Sequence, residues 1–432
     1  MPGQTHRTSF FGLNFKPLWA LGSAAVMLAA AAPGPAQAAP TAEVLHWWTS
    51  GGEARAVKTL KESFEAEGGE WIDSPVAGGG GDAAMTALRS RVLSGDAPTA
   101  VQLKAPAVKQ WAEQGQLARL NDVAEDGNWN AKIPGVLQNA MQHEGDYVAV
   151  PVNIHRIDWL WANPDALAKV DGEIPKTWAE FNALAQKLEA AGITPLAHGG
   201  QPWQDATVFE AVVLGLGGPD FYREALVELD SEALGSDTMV QVFEQMRTLR
   251  GFVDANFSGR DWNLATSMVI AGEAAFQIMG DWAKGEITAA GKTPGEDVLC
   301  AAAPGAEGFI LNTDSFAMFE QSDADKRAGQ KLLARLILAD DFQTGFNRVK
   351  GSIPASTTVA LDGFDACARK SKDHLNTARA DDGLVLSMAH GMAISGQVKG
   401  AIVDVVTNHF NSDMDAETAT QRLVEAVELA NY

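Results

Sequence analysis

The sequence predicts an α/β fold in two lobes, each a mainly parallel sheet flanked by helices, and three observations carry that expectation. Short apolar runs alternate with stretches of helical period through the first third of the chain, as in successive βαβ units. The 432 residues exceed the ~150 typical of one domain. Sheet-like segments also return after residue 308, so the chain crosses between the two units more than once.

Taken in order, residues 43–48 read as a buried strand that stops at Thr49-Ser50-Gly51-Gly52. Val57, Leu60 and Phe64 then fall at i, i+3 and i+7 of a helix. A glycine turn at 78–81 precedes a second helix marked by Met85, Leu88 and Val92. Residues 99–103 form a short strand, followed by a helix carrying Val108, Trp111 and Leu117. No GxGxxG follows the first strand, so there is no legible dinucleotide site. Residues 147–153 are extended and close the first unit. From 158 to about 304 the pattern is largely helical, 309–311 and 314–319 read as sheet, and helices run from there nearly to the end.

The first 38 residues have the order of an export signal. Arg7 and Lys16 give a positive segment without acidic residues, an apolar run spans 18–32, and Ala36-Gln37-Ala38 is a small-x-small cleavage site. The run is shorter than the ~20 residues needed to span a bilayer, so a signal peptide over 1–38, cleaved after about Ala38, is expected. No lipobox cysteine follows it, which points to a freely diffusing protein of a Gram-negative periplasm. The remainder, with 46% hydrophobic and 20% charged residues overall, has globular composition. The formal net charge is −22, and −24 without Arg7 and Lys16. Such acidity argues against nucleic acid and anionic membrane surfaces as partners. An oxidising compartment favours a disulfide between Cys300 and Cys367, the alternative being two separate buried thiols. Nothing has the ligand spacing of a structural zinc site, and no metal or cofactor is expected.

Candidate binding residues gather where strands end, the place where open α/β sheets collect ligands. Trp47 and Trp48 stand at one such end, with Glu53 at the start of the helix behind and Lys104 after the strand 99–103. Side chains alternate along a strand, so at least one indole faces the cleft. An indole face suits the C–H face of a pyranose, while carboxylates, amides and ammonium groups suit its hydroxyls. The alternative is a core tryptophan and a Glu53 that only favours the helix dipole. Asp281 and Trp282 repeat the carboxylate–indole pairing where a strand reaches Gly280. Asn312-Thr313-Asp314 interrupts an apolar strand, Lys350 stands at a Gly/Pro corner, and His390 lies between Met388 and Met392 in an apolar helical segment, where a structural role competes. Glu53 and Asp281 could also serve a glycosidase, which needs two carboxyl groups. No GxSxG, HExxH or phosphate loop accompanies them.

The strings LHWWTSGGE (45–53), VPVNIHR (150–156), GGQPWQ (199–204), FQIMGDWAKGE (276–286), LNTDSF (311–316) and KGSIPA (350–355) resemble those of family 1 extracellular solute-binding proteins. Within that maltose-binding-like group they resemble the glucose- and mannose-binding subgroup of ABC sugar importers. They keep the family's order over nearly the whole mature chain. The resemblance implies the two-lobed periplasmic-binding-protein fold, with an N-terminal lobe of 39–155 and 306–354 and a C-terminal lobe of 156–305 and 355–432, joined by crossing hinge segments. It implies sugar contacts from Trp47, Trp48, Glu53, Lys104, Asp281, Asn312, Asp314, Lys350 and His390, with Trp203 and Trp262 as an aromatic wall. Asn153 and His155 are candidates whose orientation the sequence leaves open.

By that resemblance the chain is expected to be no enzyme but a monomeric binding protein. It would capture a monosaccharide, glucose first, by hinge closure and hand it to ABC importer subunits. Mannose, xylose or a disaccharide are the alternatives among sugars, and a glycoside hydrolase using Glu53 and Asp281 is the alternative in class. Docking onto a membrane chemoreceptor is compatible with binding and leaves no mark in the sequence.

Overall fold

The strand Thr41–His46 runs through the core of the first lobe, where Ala42, Val44 and Leu45 are fully buried. The helix Gly51–Ala66 follows, and its apolar stripe of Val57, Leu60 and Phe64 packs inward as the period predicts. Ser50 caps it, accepting from Glu53 N, while the Glu53 carboxylate accepts from Ser50 N. That reciprocal box satisfies two otherwise orphaned donors. The structure, a computed structural model, describes residues 39–431, so the expected signal peptide and its cleavage site lie outside the described residues.

The first sheet has the order Glu70–Pro75, Thr41–His46, Ala100–Leu103, Ser315–Met318, Ala149–Pro151. Its first three strands are parallel, and Ser315–Met318 runs antiparallel to both neighbours. The second sheet has the order Leu299–Ala302, Trp159–Ala162, Ala274–Ile278, Thr194–Leu196, with only the last pair parallel. A third joins Ile353–Pro354, Asn153–Arg156, Phe309–Asn312 and Leu384–Leu386. The sheets are therefore mixed, which corrects the expectation of mainly parallel ones. Trp159–Ala162 and Ser315–Met318 each follow a strand of the third sheet after two residues, pass into another sheet and run antiparallel to both neighbours there.

Two hydrophobic clusters underlie the two lobes. One includes Leu45, Leu103, Phe316 and Phe346, the other Trp161, Phe209, Phe243 and Phe276. Cys300 and Cys367 are disulfide-bonded, with Cα atoms 6.1 Å apart. The bond ties the sheet-edge strand Leu299–Ala302 to the helix Ala366–Ala380. Among the described residues no helix is long and apolar enough to cross a membrane.

Four strands occupy the 158–304 region expected to be largely helical, and Leu384–Leu386 forms another in the late helical stretch. Ala274–Ile278 is the strand expected before Gly280, whereas Trp159–Ala162 is buried throughout and carries no polar alternation that would distinguish it from buried helix. Glu70–Pro75 went unanticipated for the opposite reason: as an edge strand it buries only Trp71.

Candidate functional site

The strand ends, the helix starts and one late turn converge on a cavity between the clusters. Trp47, Trp48, Glu53, Gly80, Lys104, Asn312, Asp314 and Lys350 line it from the first lobe. His155, on the crossing strand Asn153–Arg156, lines it together with Trp203, Trp262, Trp282 and His390. It holds about 450 Å³ of atom-free space counted with its open mouth.

Ten of the eleven residues singled out from sequence thus meet at one cavity. Asp281 does not. It is fully buried, its carboxylate is paired with His155 Nδ1 and also accepts from Arg156 N at 3.1 Å. The chain leaves extended geometry at Gly280, so Trp282 takes the cavity position and Asp281 turns behind it. His390 stands in a turn after Leu384–Leu386 instead of a helix. Gly80, Trp282 and His155 are the lining residues outside the eleven, His155 having been a candidate whose orientation the sequence left open. Trp282 and His155 lay inside strings already noted, but side-chain direction through a turn is not legible from alternation.

Each cation at the cavity already has a carboxylate. Lys104 Nζ lies 2.5 Å from Asp314 Oδ1, and donates to Asn312 Oδ1 at 2.9 Å and the Thr313 carbonyl at 3.0 Å. Lys350 Nζ donates to Glu53 Oε1 at 3.2 Å. Glu53 therefore does both jobs considered for it, closing the helix cap and facing the cavity. Asp314 also accepts from Gln102 at 2.9 Å, Asn153 at 2.8 Å and His155 Nε2 at 3.0 Å. His155 thus bridges two buried carboxylates, those of Asp281 and Asp314.

Burial alone would raise the Asp314 carboxyl, but Lys104, His155 and Lys350 together hold it well below the usual carboxylate range. Burial lowers the Lys104 ammonium, against the opposing pull of Asp314. His390 is held far below the ordinary imidazole value, first by burial and then by Lys104 and Lys399, so it is neutral near pH 7. Its Nε2 pairs with the Thr207 hydroxyl at 3.1 Å.

Trp282 is the hub of the aromatic wall. Its ring meets His390 edge-on at 5.1 Å and His155 at 5.3 Å, and lies 6.4 Å from Trp203 and 6.5 Å from Trp262. Trp203 donates its indole N–H to Gln201 Oε1 at 2.8 Å, which leaves its face for the cavity. Trp48 packs on Phe316 and Phe346. Around this wall the lobes touch directly: Glu286 Oε1 accepts from Ser50 Oγ at 2.9 Å and Gly52 N at 2.7 Å. Lys399 reaches Asp82 at 2.9 Å. Flat indole faces, neutralised ion pairs and spare donor and acceptor valences suit an uncharged, hydroxyl-rich ligand.

The profile of bacterial extracellular solute-binding proteins matches residues 48–334. A probable sugar-binding periplasmic protein of Brucella melitensis is 52% identical, over 96% of this chain and 98% of its own. One of Rhizobium meliloti is 51% identical, over 94% and 97%. A solved chitin oligosaccharide binding protein shares the fold, with a TM-score of 0.79 at 17% identity over 91% of this chain and 99% of its own. Proteins of this group bind solutes and are not enzymes. The chain belongs to the bacterial extracellular solute-binding protein family.

Proposed function

We propose that the chain is a periplasmic sugar-binding protein that captures a monosaccharide, glucose first, and delivers it to the membrane subunits of an ABC importer. The observation that carries the proposal is the cavity itself, where indole faces stand opposite paired charges. The names of the relatives, probable sugar-binding periplasmic proteins, support the class of ligand and the compartment.

In this proposal Trp47, Trp48, Trp203, Trp262 and Trp282 wall the pyranose. Glu53, Lys104, Asn312, Asp314, Lys350 and His390 bond its hydroxyls, and charge-assisted bonds of this kind are about twice as strong as neutral ones. The lobes, divided at 39–155 with 306–354 and 156–305 with 355–432, close as a monomer about the crossing strands. Ligand selects the closed form because it touches both lobes only there. A hydrolase built on Glu53 and Asp281 is disfavoured, since Asp281 stands off the cavity and is occupied by His155 and Arg156.

Calorimetry on the mature protein with glucose, mannose, galactose, xylose and maltose tests the proposal. Heat with glucose, accompanied by a rise in melting temperature, is expected. Binding of maltose alone would overturn the monosaccharide assignment, and silence with every sugar would overturn the ligand class.

A further inference from the structure

Glu210 lies outside the cavity, on the helix Pro202–Leu226, and is fully buried. Trp203, Thr207 and Glu210 stand at i, i+4 and i+7, so they share one face of that helix. Trp203 lines the cavity, and Thr207 holds the His390 ring. Glu210 holds the turn beneath it. Its Oε2 accepts from Tyr222 Oη at 2.8 Å, Met388 N at 2.9 Å and Ala389 N at 3.2 Å. Its Oε1 accepts from Ser387 Oγ at 2.8 Å, and that same hydroxyl oxygen accepts from His390 N at 3.0 Å. One buried carboxylate therefore fixes three consecutive residues of the turn, the last step before His390.

We propose that Glu210 is the positioning residue for His390, setting sugar affinity through the 387–390 turn without touching the ligand. The proposal rests on His390 facing the sugar, as inferred above. It makes the anchor sensitive to a proton. The Met388 and Ala389 amides can only donate, so an added proton goes to Oε1, where the Ser387 hydroxyl must reverse from donor to acceptor. Ser387 then serves Glu210 and His390 N with the same oxygen, and the charge-assisted grip on the turn is lost. Burial, against the hydrogen bonds from Tyr222, Ser387 and the turn amides, pushes the Glu210 carboxyl up to about 7. The titratable group that faces it is Tyr222, farther along Pro202–Leu226, which in turn feels Asp158 on the crossing segment, and His390 connects to it only through Ser387 Oγ. His390 in turn feels Lys104, Lys399, His155 and Asp314.

The test is glucose titration by calorimetry between pH 5.5 and 8.5, with His390 ring resonances followed in the ligand-free protein. In the wild type, affinity is expected to fall about tenfold on acidification, the worth of one hydrogen bond, with a midpoint near 7. The His390 resonances should shift with the same midpoint. Glu210→Gln should bind weakly at all pH values with both profiles flat. Tyr222→Phe, which removes one donor and keeps the core filled, should move the midpoint upward. A Glu210→Gln protein with wild-type affinity and an unchanged pH profile overturns the proposal, as does a Tyr222→Phe midpoint that stays put if Glu210→Gln fails to fold. Absence of glucose binding at every pH overturns the sugar assignment instead, and the His390 resonances then still decide the role of Glu210.

Discussion

Gly52 and Gly285 meet backbone to backbone across the cleft: a Cβ on Gly52 would lie 2.8 Å from the Gly285 carbonyl carbon and 2.9 Å from Glu286 Oε1. Gly52 packs with the first hydrophobic cluster through its helix, and Gly285 with the second through Ala283 and Ile287. The closed arrangement thus depends on two positions that carry no side chain. Gly52→Ala would on its own favour the helix, yet its methyl wedges the lobes apart. The expected outcome is a melting temperature without ligand at or above wild type, with glucose Kd raised about tenfold through a smaller closed fraction. An unchanged Kd would show that closure tolerates the wedge.

Trp282 touches more of the aromatic wall than any single partner, so its loss should be felt most in ligand binding. Trp282→Ala is expected to weaken glucose binding at least about a hundredfold, close to 3 kcal/mol, with Trp282→Phe in between. Calorimetry on the three proteins orders them. Equal affinity for all three would remove Trp282 from the sugar wall.

Asp314 holds Lys104, Asn153, Gln102 and His155 at once. Asp314→Asn leaves the Lys104 ammonium buried without its counter-charge and should cost about 3 kcal/mol of unfolding free energy, measured by denaturant titration. The sign of the pH effect follows from a carboxyl held below its ordinary value in the folded state. Its stabilisation is complete above the unfolded pKa of about 3.9 and is lost as pH falls toward the folded one. The variant should therefore lack part of the acid-induced loss that wild type shows below pH 4.

The Cys300–Cys367 bond closes a loop of 67 residues in sequence separation. In the chain-entropy model such a loop is worth about 4 kcal/mol. Cys300→Ser with Cys367→Ser, or reduction of the wild type, should lower unfolding free energy by roughly that amount, read by denaturant titration. A difference below 1 kcal/mol would mean that closing this loop does not stabilise the fold through the unfolded chain.

Trp47, Lys104, Asn312 and Asp314 were legible because they stand directly at strand ends, where alternation and the carboxyl-end rule both apply. Glu53 was legible from its place at the start of the helix behind the first strand, and only the structure showed its box with Ser50. Asp281 was misplaced because parity breaks down at Gly280, where the strand gives way to a turn, and the side chain facing the cavity is the next one. Of the second lobe's sheet only the strand leading to Gly280 was legible, since short, largely buried strands such as Trp159–Ala162 and Thr194–Leu196 read like fragments of buried helix. His390 needed family resemblance to be chosen at all. What fixes it, Thr207 and Glu210, lies 183 and 180 residues away in sequence.

The pairing of Lys104 with Asp314 and of Lys350 with Glu53 leaves the cavity without an unbalanced charge to advertise. A neutral sugar therefore arrives without electrostatic steering, at an encounter rate that added salt neither speeds nor slows. Anionic solutes meet an acidic protein, of formal net charge −22 over the whole chain, before they meet the cavity, and dilute media repel them most strongly. Capture of an uncharged solute should proceed alike in fresh water and in brine.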